Sequence, residues 1–151
     1  MASFARRALE KARAAAGRAL GRLLGPSGEP PSAGERGERE AARFLKRRGY
    51  RILERNYRCR LGEIDLVVFR KGVLAFVEVR TRTEPALVPA PETVTAEKRR
   101  RITRAAHDYL AQHHLGGEDV SLRFDVVAIH YRSDCSGPPR VEHIPDAFGA
   151  T

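Results

Sequence analysis

GEIDLVVFRKGVLAFVEVR, residues 62–80, holds two apolar, β-rich runs, 66–69 and 73–77, split by Arg70, Lys71 and Gly72. Asp65 and Glu78 sit at the outer ends of these runs, each flanked by hydrophobes. If Lys71-Gly72 is a two-residue turn, the stretch is a β-hairpin in which Arg70 faces Val73 and Asp65 faces Glu78. Glu63 then faces Arg80. A four-residue turn keeps this register, and a three-residue turn shifts it by one. Side chains alternate along a strand, so Glu63 and Asp65 share a face with Glu78 and Arg80. Directly opposed residues have Cβ atoms about 4.5–5.5 Å apart, and like charges there are destabilising. Two apposed carboxylates therefore require a raised pKa, a cation or a basic partner. A hard divalent cation suits them, since Mg²⁺ takes oxygen ligands and often uses one or two carboxylates. The simpler alternative leaves each acid as a solvated strand end, or pairs it with Arg60 or Arg80.

Outward from the hairpin, the pattern predicts an α/β domain. Ser32 and Glu35 have capping-box spacing and open a helix that Gly49 stops. A first strand is expected over 50–57 and a Pro-rich loop over 82–93. A second helix carries Ile102, Ala105, Ala106, Tyr109, Leu110 and His113 on one stripe. Residues 120–130 form another apolar strand, and a short one is expected near Val141. The order is α-β-β-β-α-β, with a mixed central sheet flanked by helices. No internal repeat is present.

The 151 residues suit one domain. With 28 Lys and Arg against 19 Asp and Glu, the chain has a formal charge of +9, which favours a polyanionic partner such as nucleic acid. A solvated basic surface is the plainer account of the same surplus. Residues 1–33 are Ala- and Arg-rich and end in GPSGEPPSA, and read as a basic extension and linker preceding a domain over 34–148. No apolar run approaches a membrane span of roughly 18 residues. Cys59 and Cys135 form no close pair or metal-like spacing, which fits a reducing cytoplasm.

Two further charged residues are oddly placed. Glu38 falls on the apolar face of the first helix with Ala41, Ala42 and Leu45, and Lys98 precedes Ile102 by four residues on the stripe of the second. Each either snorkels outward at the edge of the core or converges on the Asp65 and Glu78 pair.

With Gly34 and Glu38, GEIDL (62–66), FVEVR (76–80), VTAEK (94–98) and RFDVVA (123–128) in this order, the chain resembles the PD-(D/E)xK nuclease superfamily. In detail it is similar to the uncharacterised bacterial YraN-like family, whose fold is like that of archaeal Holliday-junction resolvases. The resemblance implies a restriction-endonuclease-like core and a divalent-metal-dependent endonuclease acting on DNA, including branched DNA. It implies Mg²⁺ or Mn²⁺ held by Asp65, Glu78 and the backbone carbonyl of Val79. Glu38 would approach the same site through water, and Lys98 would contact the scissile phosphate or arrange the attacking water. Arg80 stands where the superfamily usually has lysine. A guanidinium stays protonated, so Arg80 would orient water or stabilise charge but not abstract a proton. Asp125 matches a family segment without a metal role, and reads as a buried acid satisfied by hydrogen bonds. Resolvase-like relatives often act as homodimers. The contrasting reading is a nucleic-acid-binding protein that keeps the fold without turnover.

Overall fold

The computed structural model describes Glu10 and residues 31–85, 89–115 and 120–150. The hairpin forms as its sequence predicts. β1 (Arg51–Cys59) is followed by β2 (Gly62–Arg70) and β3 (Val73–Thr83). Lys71 and Gly72 have φ of 47° and 81°, and positive φ at both positions is the type I′ turn whose twist matches the flanking strands. β4 (Ser121–Tyr131) and β5 (Arg140–Ile144) complete a five-stranded sheet in the order β1-β2-β3-β4-β5. Every neighbouring pair is antiparallel except β3 and β4. That parallel pair needs a crossover. A 3-10 turn, Ala90–Thr93, and a helix, Ala96–Gln112, lie between the two strands. We number this helix α2 and the first one, Ala33–Arg47, α1.

The two helices cover opposite faces of the sheet. On one face α1 packs Ala41, Ala42 and Leu45 against Leu66, Val68, Ala75, Val77, Val127 and Ile129. On the other, α2 packs Ile102, Ala105, Ala106, Tyr109 and Leu110 against Ile64, Leu74, Phe76, Phe124, Val126 and Ala128. Each fully buried Leu, Ile or Phe among these contributes about 1.5–3 kcal/mol. The expected capping box of α1 is present: Glu35 N–H donates to Ser32 Oγ at 3.2 Å, and Ser32 N–H to the Glu35 carboxylate at 2.8 Å. Gly49, with φ of 84°, follows the helix. His113, expected on the α2 stripe, is the helix's C-cap residue and stacks on Tyr109 of that stripe with ring centroids 4.0 Å apart. The basic extension lies outside the described residues, apart from Glu10 and 31–33.

One departure from the expected hairpin lies beyond Leu66. β3 pairs with β4 along its whole length, from Val73↔Ser121 to Thr83↔Tyr131. It pairs with β2 only from Arg70↔Val73 to Leu66↔Val77. The register is the expected one, but the ladder stops one pair short of the acids. Asp65 does not pair with Glu78, nor Glu63 with Arg80; the two strands fork there.

Candidate active site at the β2–β3 fork

The fork has a local cause in β2. In a regular strand residues 64 and 66 share a face, yet Ile64 packs in the α2-side core and Leu66 in the α1-side core. The chain therefore turns over at Asp65. Opposite it, the β1–β2 ladder skips from Arg55↔Leu66 to Tyr57↔Ile64, and Asn56 between them has φ of 52°. Asparagine tolerates this left-handed conformation better than most residues. The Asp65 carboxylate consequently points across the fork, where Oδ2 accepts a hydrogen bond from Val79 N–H at 2.7 Å. An extended residue directs its N–H and C=O to the same neighbouring strand, so the Val79 carbonyl also faces the fork.

Glu78 arrives from β3 on the α2 side and is only 3% exposed. Its Oε1 lies 3.5 Å from Arg80 Nη1, and its Oε2 lies 3.4 Å from Lys98 Nζ. Neither geometry satisfies Oε2, which is buried without a hydrogen-bond partner. Lys98 Nζ also donates to Glu63 Oε1 at 3.3 Å, so the ammonium stands between two carboxylates. The cap of α2 fixes its root, with Lys98 N–H donating to Thr95 Oγ1 at 3.2 Å. Glu38 comes from the α1 side and accepts a hydrogen bond from Asn56 Nδ2 at 2.9 Å.

Electrostatics bind these groups into one cluster. Burial, and then the charge of Glu78, push the Asp65 carboxyl up to about 7, against the Val79 hydrogen bond and the Lys98 charge that favour the anion. Burial also raises the Glu38 carboxyl, with Asn56 opposing it and Asp65 adding to the rise. The cluster thus carries more negative charge than its own cations offset.

The structure brings Asp65, Glu78, Arg80 and Lys98 to the fork, with Glu38 at its rim. Glu63 belongs to the cluster too, as the second acceptor for Lys98. The alternation argument put Asp65 on the face of Glu78 and Arg80; instead Asp65 lies across the fork, because β2 turns over there. Asn56 escaped the sequence reading altogether, since a polar residue in an edge strand carries no signal of its own.

Two glycines let the helices close on this point. A Cβ at Gly37 would lie 2.1 Å from Thr81 Oγ1 on β3, so the residue before Glu38 must be small for α1 to sit down. A Cβ at Gly62 would lie 2.5 Å from the backbone oxygen of Arg101, which lets α2 press Lys98 toward Glu63. Gly34, the glycine singled out from the sequence, makes no comparably close approach.

Asp65, Glu78 and the Val79 carbonyl form an oxygen-only donor set, and the orphaned Glu78 Oε2 with the raised Asp65 carboxyl is what a hard cation would relieve. Among the described residues no group of three or more His, Cys, Asp or Glu side chains is arranged to hold a metal ion. A cation at the fork would be held by two carboxylates and backbone, the lean ligation that Mg²⁺ accepts.

Asp125, 0% exposed, sits elsewhere, on the α1 side of β4. Arg123 donates to it from Nε at 2.7 Å and Nη2 at 2.9 Å, His143 Nε2 lies 2.8 Å away, and Asp146 N–H donates at 3.0 Å. It is the hydrogen-bonded buried acid expected from the sequence.

No helix among the described residues is long and apolar enough to cross a membrane. The profile of the uncharacterised protein family UPF0102 matches residues 37–129, which include Glu38, the fork and Lys98. A UPF0102 protein of Anaeromyxobacter dehalogenans is 50% identical over 115 residues, covering 76% of this chain and 82% of the relative. One of Symbiobacterium thermophilum is 49% identical over 117 residues, covering 78% and 96%. One of Geotalea uraniireducens is 45% identical over 117 residues, covering 78% and 89%. The chain belongs to the uncharacterised protein family UPF0102.

Proposed function

We propose that the protein is a divalent-metal-dependent endonuclease of the PD-(D/E)xK type that hydrolyses phosphodiester bonds in DNA, with branched or otherwise structured DNA as substrate. One observation carries this reading: two carboxylates, Asp65 and buried Glu78, meet at a strand fork with an orphaned oxygen and a lysine beside them. Asp65, Glu78 and the Val79 carbonyl would hold Mg²⁺ or Mn²⁺, which when bound supplies activation of a water molecule and charge neutralisation at the phosphate.

The chain's own residues do the rest. Val79 N–H holds Asp65 Oδ2, so the carboxylate's other oxygen is aimed by the backbone rather than by a flexible side chain. Arg80, with a side chain 37% exposed, offers donors to an incoming phosphate and stabilises the charge that develops on it. Lys98 is one exchange of partner away from a phosphate oxygen, since its two carboxylate contacts are 3.3 and 3.4 Å long. Glu38, held by Asn56, borders the position from which water approaches. Exposed Arg43, Lys46, Arg47 and Arg48 at the end of α1, and Arg100, Arg101 and Arg104 on α2, supply phosphate contacts along the duplex arms. Cys59 and Cys135 are free thiols, which agrees with action in the cytoplasm.

A second reading has its own support. Lys98 already stands against Glu78, so the cluster is partly neutralised without a metal. On that reading the protein binds nucleic acid and does not turn it over. A gel assay of four-way-junction DNA with Mg²⁺ or Mn²⁺ separates the two. Cleavage by the wild type, abolished in Asp65→Ala and Glu78→Ala with binding retained, supports the endonuclease. Binding without metal-dependent cleavage supports the second reading, and normal turnover in either variant removes the proposed site.

A further inference from the structure

A cleft of about 910 Å³ opens between residues 84–85 and 89–91 on one side and the ends of β4 and β5 on the other, apart from the carboxylate cluster. His130 of β4 lines it. This side chain is 6% exposed, and neither ring nitrogen has a hydrogen-bond partner. Glu84 Oε1 lies 3.8 Å from Nδ1 and Glu142 Oε2 lies 3.4 Å from Nε2. Leaving a buried donor or acceptor without a hydrogen bond is destabilising, so His130 is a group that a ligand would satisfy.

The charges around it select the ligand. Arg82, Arg132 and Arg140 face the cleft together with Glu84, Asp134 and Glu142, three guanidiniums against three carboxylates. Arg140 Nη2 lies 2.9 Å from Glu84, and Arg132 Nε lies 3.3 Å from Asp134. An anion reaching His130 would meet a carboxylate at each ring nitrogen. A metal ion would find those carboxylates on opposite sides of the ring. A neutral, planar group with both donors and acceptors on its edge meets matching partners, and Pro85, Pro89 and Pro91 add apolar wall. An unstacked nucleobase has this chemistry.

Position connects the cleft to the fork. Arg82 pairs with His130 in the β3–β4 ladder. It stands four residues beyond Glu78 on the same face of β3, about 13 Å away at ~3.3 Å per residue. We propose that the cleft receives an unpaired nucleobase of the strand whose phosphodiester bond lies at the fork, a few nucleotides from that bond. This rests on the endonuclease reading and adds that the substrate presents single-stranded bases beside the cut.

The test uses the wild-type chain in EDTA, where no cleavage occurs, with the His130 ring followed by NMR. A single-stranded tetranucleotide should shift the His130 resonances saturably, while an abasic chain with the same phosphates and inorganic phosphate should not. Arg140→Ala and Glu142→Ala, both at exposed positions, should each weaken binding about tenfold, roughly 1.4 kcal/mol. Equal shifts from the abasic chain or from phosphate would overturn the proposal in favour of an anion site. No shift from the tetranucleotide would overturn it as well. Cleavage is assayed separately with Mn²⁺: shifts without cleavage leave the cleft and remove the endonuclease, and cleavage without shifts does the reverse.

Discussion

The Asp65 carboxylate accepts a hydrogen bond from Val79 N–H at 2.7 Å, spanning the gap where β2 and β3 part. A side chain here replaces the backbone partner that Val79 would have had in a continued ladder. The fork thus satisfies its own backbone and at the same time aims a carboxylate beside Glu78.

That arrangement costs stability at neutral pH when no metal is bound. Burial and Glu78 raise the Asp65 carboxyl to about 7, above its ordinary unfolded value near 3.9. Its favourable contribution is fully present below the unfolded value and is lost as pH rises through 7. Asp65→Asn, which keeps an acceptor for Val79 N–H, should therefore raise the melting temperature of the metal-free protein at pH 7–8. About 2–4 °C per kcal/mol is the scale for a chain of this size. Thermal melts from pH 5 to 8 with EDTA and with Mg²⁺ check this. Mg²⁺ should stabilise the wild type more as pH rises and leave the variant unmoved.

Gly62→Ala forces a Cβ against the backbone of Arg101. The strain should cost about 1–3 kcal/mol and move α2, with Lys98, away from Glu63 and Glu78. Denaturant unfolding measures the first effect. The second appears as lost cleavage beyond what stability explains. Gly34→Ala, with no comparable clash, should be near neutral in both assays.

Asn56 can be tested without disturbing its backbone. Glycine adopts φ of 52° freely, so Asn56→Gly keeps the left-handed backbone at this point of β1 and removes only the amide that holds Glu38. Stability should change by less than about 1 kcal/mol. Cleavage should fall, and should fall no further when Glu38→Gln is added. Additive losses would mean that Asn56 acts elsewhere.

Asp125 gives an acid-stability signature. Burial alone would raise its pKa, but the bonds from His143, Arg123 and Asp146 N–H prevail and hold it below the ordinary carboxylate value. Its contribution is present above the unfolded value and is lost as pH falls through the folded one. Asp125→Ala should cost about 3 kcal/mol near pH 7. The gap to wild type should narrow below about pH 4. A gap independent of pH would show that packing, not charge, is what the residue supplies.

The hairpin, the two helix stripes and the capping box were legible because each rests on local rules: turn chemistry, period and cap spacing. The register was legible for the same reason, as far as Leu66. The fork was not, because it depends on Asp65 preferring the Val79 amide to a place in the ladder and on Asn56 taking a left-handed conformation across from it. Glu38 and Lys98 showed only as misplaced charges on apolar faces, and the glycines that bring them in, Gly37 and Gly62, became visible once the helices were docked. The family pattern drew these acids together from a distance; their geometry at the fork could only come from the fold.

The most direct test is a calorimetric titration of Mn²⁺ into the wild type and Glu78→Ala, each with a four-way DNA junction present. One ion bound per chain by the wild type and none by the variant is the predicted result. Equal binding by both, or none by either, would contradict a metal centre at the Asp65–Glu78 fork.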